Sequence, residues 1–172
     1  MATMVNLADV AALGMGLATT LQTYIELVND ARDTFESVVF EINSSATAMK
    51  LLGEAVEADQ NDAETQGRVA LFKDEGIVEI QALATKCEKI YNIIIGAVYK
   101  ASEKPAKDGV ESPQATQPVT LSSLKPLSSV LRHMKWSWLE PRMENCETQL
   151  RWLKLGLLLY LQISGLAKLN LG

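Results

Sequence analysis

The chain has one histidine and two cysteines in 172 residues, and it lacks the short motifs that usually announce a reaction. No glycine run closes on Gly-Lys-Ser or Gly-Lys-Thr, so there is no phosphate-cradling loop. Gly14-Met15-Gly16 lacks both a preceding strand and a third glycine, and is no dinucleotide fingerprint. No nucleophile elbow is present. His133 lies beside Arg132 and Lys135 with no orienting carboxylate nearby in sequence, which reads as a surface histidine rather than a general base. A di-iron bundle would need Glu-x-x-His pairs, and a single histidine excludes its usual form. The expectation is a non-enzymatic chain with no catalytic residue, no cofactor and no metal.

Other scarcities narrow the class. Five prolines and ten glycines argue against a turn-rich β protein, and 6% aromatics fits an aliphatic helical core. Sixteen basic against twenty-one acidic residues give a net charge of −5, so bulk-charge binding to nucleic acid is not expected. Cys87 and Cys146 both lie on apolar stripes. They read as buried free thiols in a reducing compartment, with an interhelical disulfide as the alternative. The apolar start has no basic flank and Asp9 interrupts it, so no secretory signal is read. Position 2 is Ala2, so there is no myristoylation signal. A cytoplasmic location is expected.

What the chain does have is helical periodicity. Phe35, Val38, Ile42, Ser45, Met49, Leu52 and Val56 recur at steps of three and four. So do Val69, Phe72, Gly76, Ile80, Leu83, Cys87, Ile90, Ile94 and Ala97, and again Leu139, Met143, Cys146, Leu150, Leu153, Leu157 and Tyr160. A fourth set, Leu7, Val10, Leu13, Leu17, Leu21, Tyr24 and Val28, follows Asn6, a good N-cap with Asp9 three residues on. The β-branched clusters Val38-Val39-Phe40 and Ile93-Ile94-Ile95 lie within longer helical periods, so no strand is predicted.

The predicted fold is all-α: one domain over 1–172, a single bundle of four long helices with a short helix before the last. The first helix runs from about residue 7 to Asn29. The second is capped by Asp30 and runs to about Ala58, with Glu26, Asp30, Asp33 and Glu36 on a solvated face. The acidic stretch Glu57 to Gly67 reads as a loop. The third helix runs from about Thr65 to Ala101 with a kink, or a delayed start, at Gly76. Residues 102–120 hold three prolines and few apolar side chains, and read as a flexible internal loop. A short helix after Pro126 uses Leu127, Val130, Leu131 and Met134. Pro141 belongs in the first turn of the last helix, which runs to about Lys168.

Two helices exceed what one core face requires. Val10 to Ile25 is sixteen residues without a charge, ~24 Å of helix against a ~30 Å hydrocarbon core. Small residues recur along it at Ala8, Ala12, Gly16 and Thr20, a ridge that lets helices approach closely. An ordinary core helix and a helix inserting conditionally into a membrane both fit this pattern, with Leu7, Val10, Leu13, Gly14, Gly16, Leu17 and Leu21 as the candidate membrane or oligomer residues. The last helix has no charge from Leu155 to Ala167. Leu155, Leu158, Leu159 and Leu161 cannot all face one core, and form a candidate partner surface.

A resemblance joins these segments. The N-terminal Leu-Ala-Asp-Val-Ala-Ala-Leu-Gly-Met-Gly-Leu-Ala helix precedes a long helix with Phe35-Glu-Ser-Val-Val-Phe-Glu-Ile-Asn and a third helix with Cys87. The chain closes on Met134-Lys-Trp-Ser-Trp and Gln149-Leu-Arg-Trp-Leu-Lys-Leu-Gly-Leu-Leu-Leu-Tyr-Leu-Gln. Together they resemble the N-terminal helical domain of fungal signal-transduction (STAND) NTPases and related ankyrin-repeat proteins, itself similar to the HeLo and HeLo-like cell-death domains associated with NLR-like receptors. The likeness spans nearly all of the chain outside 102–120. It implies a signalling or effector module of cell-death or incompatibility systems that forms homo-oligomers on activation, with release of the segment Leu7 to Leu27 onto the plasma membrane. The alternative is a protein-interaction scaffold with no membrane activity.

Overall fold

A computed structural model describes residues 4–26, 32–102, 118–124 and 134–171. Four long helices dominate, and no strand occurs among the described residues. They are α1 (Leu7–Ile25), α2 (Arg32–Gln66), α3 (Asp74–Ser102) and α4 (Trp136–Leu171), with a 3-10 turn at Leu121–Ser123 before α4. The short helix expected after Pro126, the Asp30 cap, His133 and residues 103–117 of the expected loop lie outside the described residues.

The bundle is wound in an order that the stripes alone do not reveal. α2 and α3 each pack on both α1 and α4, which leaves α1 and α4 at opposite corners. A Cβ on Gly53 would meet Leu7 and one on Gly14 would meet Ala46, so α1 runs antiparallel to α2. The pairs Thr34–Glu140, Ser37–Glu147 and Ser44–Lys154 keep a near-constant offset, so α2 and α4 run parallel. Glu79 meets Tyr160 and Lys100 meets Trp138, so α3 runs antiparallel to α4.

The apolar stripes form one core. Phe35, Val38, Ile42, Met49 and Leu52 of α2, Ile80, Cys87, Ile90 and Ile94 of α3, and Leu139, Met143, Cys146, Leu150 and Leu157 of α4 are all buried. The two cysteines are free. Burial drives the Cys87 thiol up to about 12, so it behaves as a small apolar group rather than a nucleophile.

Three boundaries differ from expectation for identifiable reasons. The acidic stretch from Glu57 is not a loop: α2 continues to Gln66. Its alanines, glutamates and glutamines are good helix formers, and Asp59 anchors its end. The Asp59 carboxylate is buried, accepts from the Phe72 backbone N–H at 3.0 Å and pairs with Arg68 at 3.0 Å. Gly67, in the left-handed region at φ 62°, then ends the helix. In consequence α3 starts at Asp74 and not near Thr65, two residues before Gly76 and close to the delayed start that is one of the two expectations, and Val69 is outside the helix and exposed. Finally, α4 starts at Trp136, so Pro141 is its sixth residue and not part of the first turn. The tryptophan pair is held by packing: Trp136 meets Phe35 edge-on at 5.3 Å, and Trp138 lies under Arg142 at 3.9 Å.

Candidate interaction face

α1 buries one face against α2 and α3 and leaves the other, with Ala8, Asp9, Ala12, Thr19, Gln22 and Thr23, exposed. Its N-cap forms as read, with Asn6 Oδ1 accepting from the Ala8 N–H at 2.9 Å. Of the seven residues singled out on it, Val10, Gly14, Leu17 and Leu21 are buried, while Leu7, Leu13 and Gly16 are half-buried. The close approach to other helices is not along the ridge Ala8, Ala12, Gly16 and Thr20, whose first two members are exposed. It is at Gly14. A Cβ there would sit 2.8 Å from Ala46 Cβ and 2.8 Å from Tyr91 Cε2. The Tyr91 ring cannot yield easily, because it is fully buried and its hydroxyl is 2.7 Å from Ser45 Oγ. Burial also raises the Tyr91 hydroxyl well above its ordinary titration range.

Drawing α1 out of the bundle would expose Val10, Leu17, Leu21, Tyr24 and Ile25. At roughly 2 kcal/mol for each such side chain, the cost is on the order of 10 kcal/mol. That is about the whole stability of an ordinary domain. Nor is α1 apolar enough to be a candidate span. Among the described residues, the helix that is long and apolar enough to cross a membrane is α4, over Trp136–Asn170.

α4 divides lengthwise. Its inner edge carries the buried stripe. Its outer edge carries Trp152, Leu155, Leu158, Leu159, Ile163, Leu166 and Leu169, all 39–78% exposed. Leu161 differs from the other three leucines proposed as a partner surface: it is partly buried against the core. Three further members, Trp152, Leu166 and Leu169, fall on a second periodicity of the same helix, while Ile163 lies beside it. Residues 152, 155, 159, 162, 166 and 169 are spaced three, four, three, four and three.

The face continues onto α2. Phe40 and Leu51 are exposed there, and with Leu158 and Leu161 they line a shallow groove of about 330 Å³. No periodicity in α2 marks these two residues, because they lie off its buried stripe.

A charged cluster fixes the rotation of α4 that turns this face outward. Glu41 of α2 is buried. The Lys154 ammonium lies 2.7 Å from its Oε2, held by charge and not by an aligned hydrogen bond. Arg151 Nε donates to Glu41 Oε1 at 3.5 Å, and its Nη2 donates to Glu147 at 2.6 Å. Ser37 Oγ donates to the same Glu147 oxygen at 2.6 Å. Lys154 also covers the Phe40 ring at 5.2 Å. A buried carboxylate without its cations would be costly, so these contacts leave α4 little freedom to turn its leucines inward.

The chemistry elsewhere is sparse. A cavity of about 380 Å³ opens between the start of α1 and the facing parts of α2 and α3, lined by Met4, Leu7, Gly53, Val56, Ile77 and Ile80 with Lys50, Glu54 and Glu57. The buried polar residues Glu41, Ser45, Asp59 and Ser164 all lie away from it, so it presents no buried polar anchor for a small molecule. No group of three or more histidine, cysteine or acidic side chains that could hold a metal occurs among the described residues.

Comparison with models of known protein families, with curated proteins and with solved structures finds no match.

Proposed function

We propose that the chain is a non-enzymatic association module, a helical bundle of the signalling or effector kind, that works by docking through the outer face of α4. The observation that carries this reading is the seven large apolar side chains exposed on α4 from Trp152 to Leu169, five of them in the uncharged run from Leu155 to Ala167. An isolated exposed leucine means little, but a contiguous exposed apolar patch marks a surface that is covered in use. The resemblance to fungal STAND-type helical domains supports the same role, with cell-death or incompatibility signalling as the setting.

The membrane branch of that resemblance moves from one helix to another. The core holds α1 by about as much free energy as the whole fold has to spare. α4 already presents its apolar face and needs no release. Membrane contact through α4 is therefore the second reading, favoured by its length and composition.

Trp152 reports on both, because it is 70% exposed at the start of the face. Acrylamide quenching of its emission, isolated by subtracting a Trp152→Phe variant, should weaken as protein concentration rises or as phosphatidylcholine–phosphatidylserine vesicles are added. Equal quenching at every concentration and with vesicles would remove the basis of the reading.

A further inference from the structure

We infer that the outer seam of α4 pairs with the same seam of a second copy of this chain, parallel and in register, as a short coiled coil with Gln162 as its one polar layer. The inference rests on the reading of α4 as an association face, and adds the occupant and the geometry.

Spacing comes first. Taking Trp152 as position a of a heptad puts Leu155, Gln162 and Leu169 at d and Leu159 and Leu166 at a. Alternating steps of three and four over eighteen residues make the seam that another α-helix fits by knobs into holes. Over so short a run an unsupercoiled helix drifts by only ~20° per heptad, so no distortion of the bundle is needed.

Size agrees. The seven exposed apolar side chains from Trp152 to Leu169 offer on the order of 800 Å², about what each partner buries in a standard stable interface. Access agrees as well: α4 occupies the corner of the bundle opposite α1, and the seam lies on its solvent-facing edge.

Gln162 and the flanking positions select the orientation. In a parallel pair in register, Gln162 faces Gln162 of the other copy, and each amide N–H can donate to the other's carbonyl. An antiparallel pair of the same seam sets a positions against d positions, so Gln162 would face Leu159, which has nothing to accept or donate, and a buried amide without a partner is costly. Parallel pairing also brings position g of one helix beside position e of the next heptad on the other. Here those are Leu158 and Ile163, both apolar and both exposed in the single copy. No charged e or g side chain between Leu155 and Ala167 opposes two identical faces.

The test is cysteine cross-linking of the full chain, read beside its mass by light scattering. The native Cys87 and Cys146 are buried and serve as internal controls. Single variants Leu155→Cys and Leu166→Cys should each form a disulfide-linked dimer with itself under mild oxidation, and Leu159→Glu should lower the mass to that of one chain while leaving the thermal melt in place. If a mixture of Leu155→Cys and Leu166→Cys cross-links while the single variants do not, the pair is antiparallel and the proposed register is wrong. If Leu159→Glu dissociates the dimer but no cysteine variant cross-links, α4 remains an association face and the coiled-coil geometry falls. If the chain is a single copy throughout, yet binds phosphatidylcholine–phosphatidylserine vesicles in a way that Leu159→Glu abolishes, the face stands and the second copy is overturned. A single copy that binds no vesicles overturns both.

Discussion

Two glycines on α1 separate a position that the packing cannot change from one that it can. An added methyl at Gly14 collides with Ala46 and with the pinned Tyr91 ring, whereas at Gly16 it meets Leu121 Cδ2, the far end of a flexible side chain. Alanine gains about 1 kcal/mol over glycine in a helix interior, and overpacking costs about 1–3 kcal/mol. Gly14→Ala should therefore destabilise the bundle by about 1–2 kcal/mol, and Gly16→Ala should be neutral or stabilising; urea melts of the two variants measure the difference. The alternation of small residues was visible in the sequence, but the wrong set stood out. Ala8, Ala12, Gly16 and Thr20 are evenly spaced, yet which side of α1 meets α2 and α3 is decided by Leu17, Leu21 and Tyr24, whose burial carries more free energy than a row of alanines.

Each helix is legible in the sequence to the extent that burial, not local polarity, decides its limits. The stripes from Phe35 to Leu52, from Ile80 to Ala97 and from Leu139 to Leu157 are buried as their periodicity implies, Leu83 and Leu153 only in part, because period 3.6 can be satisfied in only one rotation. The end of α2 was misread because its residues are charged. Asp59 makes the difference: its carboxylate turns inward to hold Phe72 N–H and Arg68, a tertiary contact with no local signature. Asp59→Ala should then cost about 1–3 kcal/mol, the price of leaving a buried donor unpaired. Hydrogen exchange at the Phe72 amide should accelerate before the core amides of α3 do; unchanged exchange there would show that the anchor is not needed. The start of α4 is a similar case. Pro141 suggests a first turn, but the edge-on packing of Trp136 against Phe35 and the stacking of Arg142 on Trp138 accompany a helix that begins five residues upstream of the proline.

At the level of the whole molecule, the fold sorts its apolar surface into two kinds. One is the shared core, in which α1 is locked. The other is the outer edge of α4, turned to solvent and kept there by Glu41, Lys154 and Arg151. The excess of apolar residues on α4 could be read from sequence; that α1 would be the protected helix and α4 the offered one could not, since it depends on the order in which the four helices neighbour one another. The offered edge is covered by association, and light scattering on the unmodified chain and on Leu159→Glu, across a hundredfold range of concentration, is the decisive measurement. The unmodified chain should approach twice its 18.8 kDa mass as concentration rises, while the variant, equally well folded, stays at one. A constant single-chain mass for both would contradict it.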